Sequence, residues 1–148
     1  MKVGSRERQQ VEAELRLYPR RRRRIEELMA RYAWELPPAP WSEDRITVSG
    51  TNRVCDLTWR SVERLNRNPE YRRLVRVVAA VERVYWSLDA QCRRVMEAYY
   101  WQGLGMDEVA DQIAASVDTV KRRRQEIVAR VLEEFRGAGI MTFEEAAG

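Results

Sequence analysis

The chain has 148 residues and no histidine. That absence removes Ser–His and Cys–His nucleophile pairs, His-ligated zinc and a haem held by histidine. Cysteine is nearly missing too: Cys55 and Cys92 lie far apart and form neither a CxxC knuckle nor a disulfide framework. There is no Gly-rich phosphate loop, no internal repeat and no alternating strand pattern of useful length. Nothing approaches the roughly 18 consecutive apolar residues of a membrane span. The charged start, Met1 to Arg8, leads into no apolar signal segment. The expectation is a non-enzymatic, cytoplasmic protein with no cofactor, no metal, no small-molecule substrate and no membrane partner. Lysine is scarce as well: of 27 basic residues only Lys2 and Lys121 are lysine, so the positive charge is arginine.

What is present suits a modest core, since 45% of residues are hydrophobic and 34% charged. The net charge of +4 allows an anionic partner without demanding one, and a GC-rich coding sequence accounts for arginine over lysine equally well. Placement says more than the sum. Residues 1–36 carry ten basic and six acidic side chains, residues 37–85 nine and six, and residues 86–148 eight and eleven. A DNA-binding surface in the acidic last third must therefore come from local clustering, and Lys121-Arg122-Arg123-Arg124 is such a cluster.

Apolar periodicity predicts an all-α fold. Val11, Leu15 and Tyr18 mark a first helix near 5–18, which Pro19 is expected to interrupt. Ile25, Leu28, Met29, Tyr32 and Leu36 mark a second, making residues 1–36 a basic helical hairpin. Pro37, Pro38 and Pro40 open a linker over 37–50, tied down at most by Trp41, Ile46 and Val48. A helical domain follows over 51–136, with a tail over 137–148. Within it Val54, Leu57, Thr58, Ser61, Val62 and Leu65 keep a helical period. Asn68-Pro69 starts a helix lined by Tyr71, Leu74, Val75, Val78, Val81, Tyr85 and Leu88. That helix is a candidate for dimer packing, although an intramolecular core explains it equally well. Cys92, Val95, Met96 and Tyr99 mark another, ended by Gly103.

The stretch from Tyr99 to Phe135 carries the function. Gly105 sits at a cap position, and Met106-Asp107-Glu108 open a short helix with acids at its positive end. Val109, Ala110 and Ile113 form its buried side, Ala114-Ala115 a tight turn, and Ser116 a cap for a longer helix lined by Val117, Val120, Ile127, Val131 and Phe135. A short helix, a turn and a longer amphipathic helix make a helix-turn-helix over 106–135, whose second helix enters the DNA major groove. With Val120 inward, the outer face holds Asp118, Arg122, Gln125 and Ala129, flanked by Thr119, Lys121 and Glu126. Asp118, Thr119, Lys121, Arg122 and Gln125 are the expected base-reading residues: arginine suits guanine, glutamine adenine, and a carboxylate accepts from cytosine. Ser116, Arg123 and Arg124 are the expected phosphate contacts. The period puts Arg124 nearer the core, so it either snorkels to phosphate or pairs with Asp107, Glu108 or Asp111, the ion pair being favoured.

This segment, Leu88 to Leu132, resembles region four of bacterial sigma factors. Gly103, Leu104, Glu108, Val109, Ala110, Ile113, Ser116, Thr119, Val120 and Lys121 match that pattern in register. Gly105 replaces the usual capping serine, and Ala114 replaces the turn glycine, so the turn is expected to form without a residue at free positive φ. No counterpart of sigma regions two and three is read, which argues against a complete sigma factor. Val11–Leu28 and Ala79–Trp101, with the linker, make residues 11–136 similar to phage late-gene regulators of the RinA and ArpU type. That resemblance implies an activator that binds double-stranded DNA and switches on late operons through the host RNA polymerase.

Three features compete with this reading. Arg20, Arg21, Arg22, Arg23 and Arg24 would begin the second helix, where cations oppose the dipole; Glu26 and Glu27 can pair with Arg22 and Arg23. The run is either a solvated structural face or an accessory arm on the DNA backbone. The tryptophans Trp34, Trp41, Trp59, Trp86 and Trp101 could stack on single-stranded bases, but their scatter favours packing, with Trp101 near enough the turn to touch the DNA backbone. Asp107 and Glu108 suit the helix dipole better than Mg²⁺, which excludes a nuclease. Two other classes stay open: a small terminase subunit for DNA packaging, and an adaptor that binds polymerase or sigma through protein contacts. A single helix-turn-helix binds weakly alone, so a homodimer or polymerase contact is expected.

Overall fold

A computed structural model of the chain describes residues 4–35 and 60–140. The linker over 37–50, with Trp41, Ile46 and Val48, lies outside the described residues, as do Val54, Cys55, Leu57, Trp59 and the end of the tail. The described residues are helical and contain no strand: α1 (Ser5–Glu35), α2 (60–67), α3 (Pro69–Ser87), α4 (Ala90–Val95) running on as a π-helical turn (Met96–Trp101), α5 (Met106–Gln112) and α6 (Val117–Gly137). They pack as two units: residues 4–21 with 76–140, and residues 22–35 with 60–75. These units cut across the segments expected from sequence.

The expected break at Pro19 is absent: α1 is one helix with Pro19 inside it, so residues 5–35 are not a hairpin. Proline removes the N–H that would bond the carbonyl four residues back. That carbonyl belongs to Leu15, and it accepts instead from the Trp101 indole Nε1 at 3.1 Å. Tyr18 and Tyr85 stack on the same indole with centroids at 4.7 and 5.5 Å. A tertiary donor thus replaces the missing local one, and the helix continues. Arg20–Arg24 consequently lie in mid-helix, where the expected dipole penalty does not arise.

In the first unit, α1 contributes Val11 and Leu15 to a core shared with Val77, Ala80, Val81 and Val84 of α3 and with the buried faces of α4, α5 and α6. The face of α3 considered for dimer packing is therefore used inside the chain. The α6 end is a Schellman motif: Gly139 takes φ +71°, Ile140 N–H bonds the Phe135 carbonyl at 2.8 Å, and Gly139 N–H bonds Arg136 at 3.2 Å. Ile140 is buried beside Phe135, so the packed domain extends past 136 into the expected tail.

The second unit is small. Leu28, Leu65 and Leu74 are buried, with Ile25, Tyr32 and Tyr71 packed on them. Met29, expected on the buried stripe, is 50% exposed, and Val62 also faces out. Asn68 Oδ1 accepts the Tyr71 N–H at 3.1 Å, and Pro69 opens α3, as the Asn-Pro signal implies. The Asn68 amide also donates to the Tyr32 hydroxyl at 2.9 Å.

Candidate nucleic-acid interface

The π turn sets the approach to the helix-turn-helix. Its wider winding ends with Gln102 N–H bonded to Glu97 and Leu104 N–H to Ala98 at 3.0 Å, with Gly103 at φ +74°. Three consecutive aromatic residues leave it in different directions. Trp101 holds Leu15, Tyr100 is buried with its hydroxyl 3.0 Å from Glu12, and Tyr99 lies under the Arg124 guanidinium, 4.1 Å from its ring centroid. Trp101, considered for a DNA backbone contact, serves the fold here: its indole N–H is taken by Leu15 and its ring by Tyr18 and Tyr85.

Gly105 precedes α5 in extended conformation and offers no side-chain cap, leaving Asp107 and Glu108 to meet the positive helix end. Val109 and Ala110 are buried. The helix closes with Ala115 N–H on the Ala110 carbonyl at 3.0 Å and Ala114 N–H on Asp111 at 3.3 Å. This is again the Schellman pattern, and Ala114 occupies its left-handed position at φ +54°. The turn therefore does use positive φ, contrary to expectation, and an alanine bears the strain that glycine would avoid.

Ser116 caps α6, its Oγ accepting the Thr119 N–H at 3.2 Å and lying 3.0 Å from the Thr119 hydroxyl. Val120, Ile127, Val128, Val131, Leu132 and Phe135 are all buried. The opposite side presents Asp118, Lys121, Arg122 and Gln125, exposed and spaced as one stripe. Thr119, also expected to read bases, is half-buried and occupied at the cap.

The expected phosphate contacts fare differently. Ser116 stands exposed at the cap. Arg123 donates Nε to Gln91 at 2.7 Å and Nη1 to both Glu126 oxygens at 3.1 and 3.2 Å, so its guanidinium is oriented toward α4. Arg124 is turned inward: its side chain is 12% exposed, and Nη2 sits 2.6 Å from Glu12 Oε2 on α1. Its Nη1 lies 3.3 Å from Met106 Sδ. The ion pair favoured over phosphate is there, but its partner is Glu12 and not Asp107, Glu108 or Asp111. Burial alone would raise the Glu12 pKa; Arg124, the Tyr100 hydroxyl and Arg8, whose Nε is 3.2 Å away, outweigh it and hold the carboxyl below its ordinary value. The same burial raises the Tyr100 pKa, so its hydroxyl is a firm donor.

The N-terminal arginines separate. Arg21 pairs with Glu14 at 2.9 Å, while Arg24 bonds Glu70 at 2.9 Å and Glu27 at 3.4 Å. Arg22 is also engaged, and Arg20 and Arg23 are exposed. Cys92 is buried, with a thiol pKa pushed up to about 12 by that burial and by Asp89, so it is a packing residue. Among the described residues no cluster could hold a metal ion, and no helix is long and apolar enough to cross a membrane.

Sequence reasoning missed Glu12, Gln91, Tyr100 and the Trp101–Leu15 bond. A signal for the first existed: Glu12 adjoins the apolar stripe of α1 as Arg124 adjoins that of α6, and two core-side charges of opposite sign invite pairing.

A chain whose described elements are all helical, and which carries a capped helix-turn-helix of the sigma region-four kind with polar side chains ranged along the outside of its second helix, is a transcription regulator by class. The family model described as ECF sigma factor matches residues 50–137, more than half of the sequence, and the chain belongs to that family. That family is a regulatory one and not a family of enzymes, and it places the chain in transcription regulation through DNA or RNA polymerase. No curated protein and no solved structure gives a significant match to it.

Proposed function

We propose that the chain is a sequence-specific double-stranded DNA-binding regulator that activates late genes of a phage or prophage with host RNA polymerase, in the bacterial cytoplasm. The observation that carries the DNA-binding part is the exposed stripe Asp118, Lys121, Arg122 and Gln125 on a helix whose other side is core. Inserted in the major groove, Arg122 would pair with guanine, Gln125 with adenine, and Asp118 would accept from a cytosine amino group, each good pair discriminating by about 1–3 kcal/mol. Lys121 supplies a further donor, and Ser116 with the helix N-terminus meets phosphate. Arg123 joins them only by leaving Gln91 and Glu126. The late-gene part rests on the resemblance of Val11–Leu28 and Ala79–Trp101 to the RinA and ArpU type. One such module binds weakly, so a homodimer or polymerase completes the site.

The test is a footprint on the DNA flanking this gene, with and without RNA polymerase. Protection of a discrete site, strengthened by polymerase, is expected. No protection in either condition overturns the reading, and polymerase capture without protection replaces it with a protein-binding adaptor.

A further inference from the structure

The N-terminal helix touches the recognition helix at two distant points. Glu12 grips Arg124 near the start of α6 at 2.6 Å, and Glu7 meets Arg136 near its end at 2.9 Å. These arginines are twelve residues apart, about 18 Å of helix at 1.5 Å per residue. The two ties differ in weight. The Glu7–Arg136 pair is solvent-exposed, and pairs of that kind contribute little. Glu12 and Arg124 are about 10% and 12% exposed, and Glu12 also accepts from Tyr100 and Arg8. Breaking a buried pair leaves an uncompensated charge, so this contact has a strongly preferred geometry.

That geometry bears on DNA reading. Arg124 follows directly on Lys121, Arg122 and Arg123 in the basic run, yet Glu12 and the Tyr99 ring hold it away from the outer stripe. Rotation of α6 by one residue step, about 100°, would exchange Arg124 for its neighbours on the outer face. The apolar face of α6 opposes such a rotation, and the Glu12 carboxylate adds the charged contact that keeps Arg124 in particular off the outer stripe. Pro19 secures α1 in turn, because Leu15, three residues after Glu12, offers its freed carbonyl to Trp101.

We infer that residues 5–21 of α1 are a positioning element for the recognition helix, and that Glu12 is a positioning residue for base discrimination although it does not contact DNA. This deepens the proposed function and rests on it.

The experiment uses the full chain. A duplex selected by the unmodified protein from a random-sequence pool is compared with a scrambled duplex of equal composition. Glu12→Gln is expected to lower the affinity ratio between the two by roughly tenfold, as substitutions along coupled contacts do. The salt dependence on scrambled DNA is no shallower than in the parent, since no phosphate contact is lost. Helix content and cooperative melting, read first, show that the variant is folded at the assay temperature. Tyr100→Phe, which removes one hydrogen bond to Glu12, moves the ratio in the same direction by less and covers the case in which Glu12→Gln does not fold. Glu12→Asp, retaining the charge, recovers part of the loss. A folded variant that discriminates like the parent overturns the positioning role while leaving the proposed function intact. A shallower salt slope overturns it by showing that the substitution removed a phosphate contact. A parent protein that prefers no sequence overturns both.

Discussion

Trp101→Phe separates the two things the indole does. The phenyl ring still stacks near Tyr18 and Tyr85 but donates no hydrogen bond. Leu15 is fully buried, and the residue four ahead of it is Pro19, so its carbonyl is left without a donor. A buried acceptor left unpaired costs about 1–3 kcal/mol, and the smaller ring adds about 1 kcal/mol of lost packing. The expected destabilisation is thus about 2–4 kcal/mol. In a Pro19→Ala background the arithmetic changes, because the backbone N–H restored by the alanine can supply the ordinary helical bond to Leu15. There Trp101→Phe should cost only the packing part, about 1 kcal/mol. The coupling between the sites is therefore about 1–3 kcal/mol, well outside the few tenths by which independent sites deviate from additivity. Urea unfolding followed by far-ultraviolet circular dichroism measures all four proteins, with equal m-values as the check that the unfolded states match. If Trp101→Phe costs the same in both backgrounds, the indole does not compensate for the proline, and the account of the unbroken helix is wrong.

Three further outcomes are expected. Ala114→Gly should stabilise by about 1 kcal/mol, raising Tm by a few degrees, because it relieves a left-handed alanine at an exposed position. Ala115→Gly, one residue later and not at positive φ, should gain nothing, and equal gains would refute the strain argument. The lowered Glu12 pKa makes its contribution full above the ordinary value of 4.5 and lost as pH falls through the lower folded value. The stability difference between the parent and Glu12→Gln should accordingly be constant near neutrality and shrink below about pH 4.5, the unfolded value. A difference that grows on acidification would reverse the assigned sign. Arg122→Ala should weaken binding to the selected site by roughly 1–3 kcal/mol and binding to random DNA by less. Equal losses in a gel-shift titration would make Arg122 a phosphate contact.

The helix-turn-helix is legible in the sequence because its signals are local. Ser116 caps the helix it is expected to cap, and Val120, Ile127, Val131 and Phe135 recur at a spacing that allows one buried face. The helical reading of α3 is correct for the same reason: its valines keep a period near 3.6, which β propensity alone would have hidden. The errors sit where a local rule is overruled from a distance. Pro19 reads as a helix break until a donor from Trp101 is known, and Arg124 reads as a phosphate contact or a partner for α5 until Glu12, 112 residues earlier, is placed beside it. The two errors have a common origin. Each element carries one defect that it cannot repair itself: α1 has a carbonyl without a donor, and α6 has a cation on its core side. Each defect is met across the α1 contact, α1 receiving a donor from the end of the π turn and supplying the carboxylate that α6 needs. A defect that is costly in isolation becomes selective when only one partner can meet it, since any other docking would leave a buried acceptor or a buried charge unpaired. The same residues that make the sequence misleading at Pro19 and Arg124 are therefore the ones that specify how α1 and α6 pack.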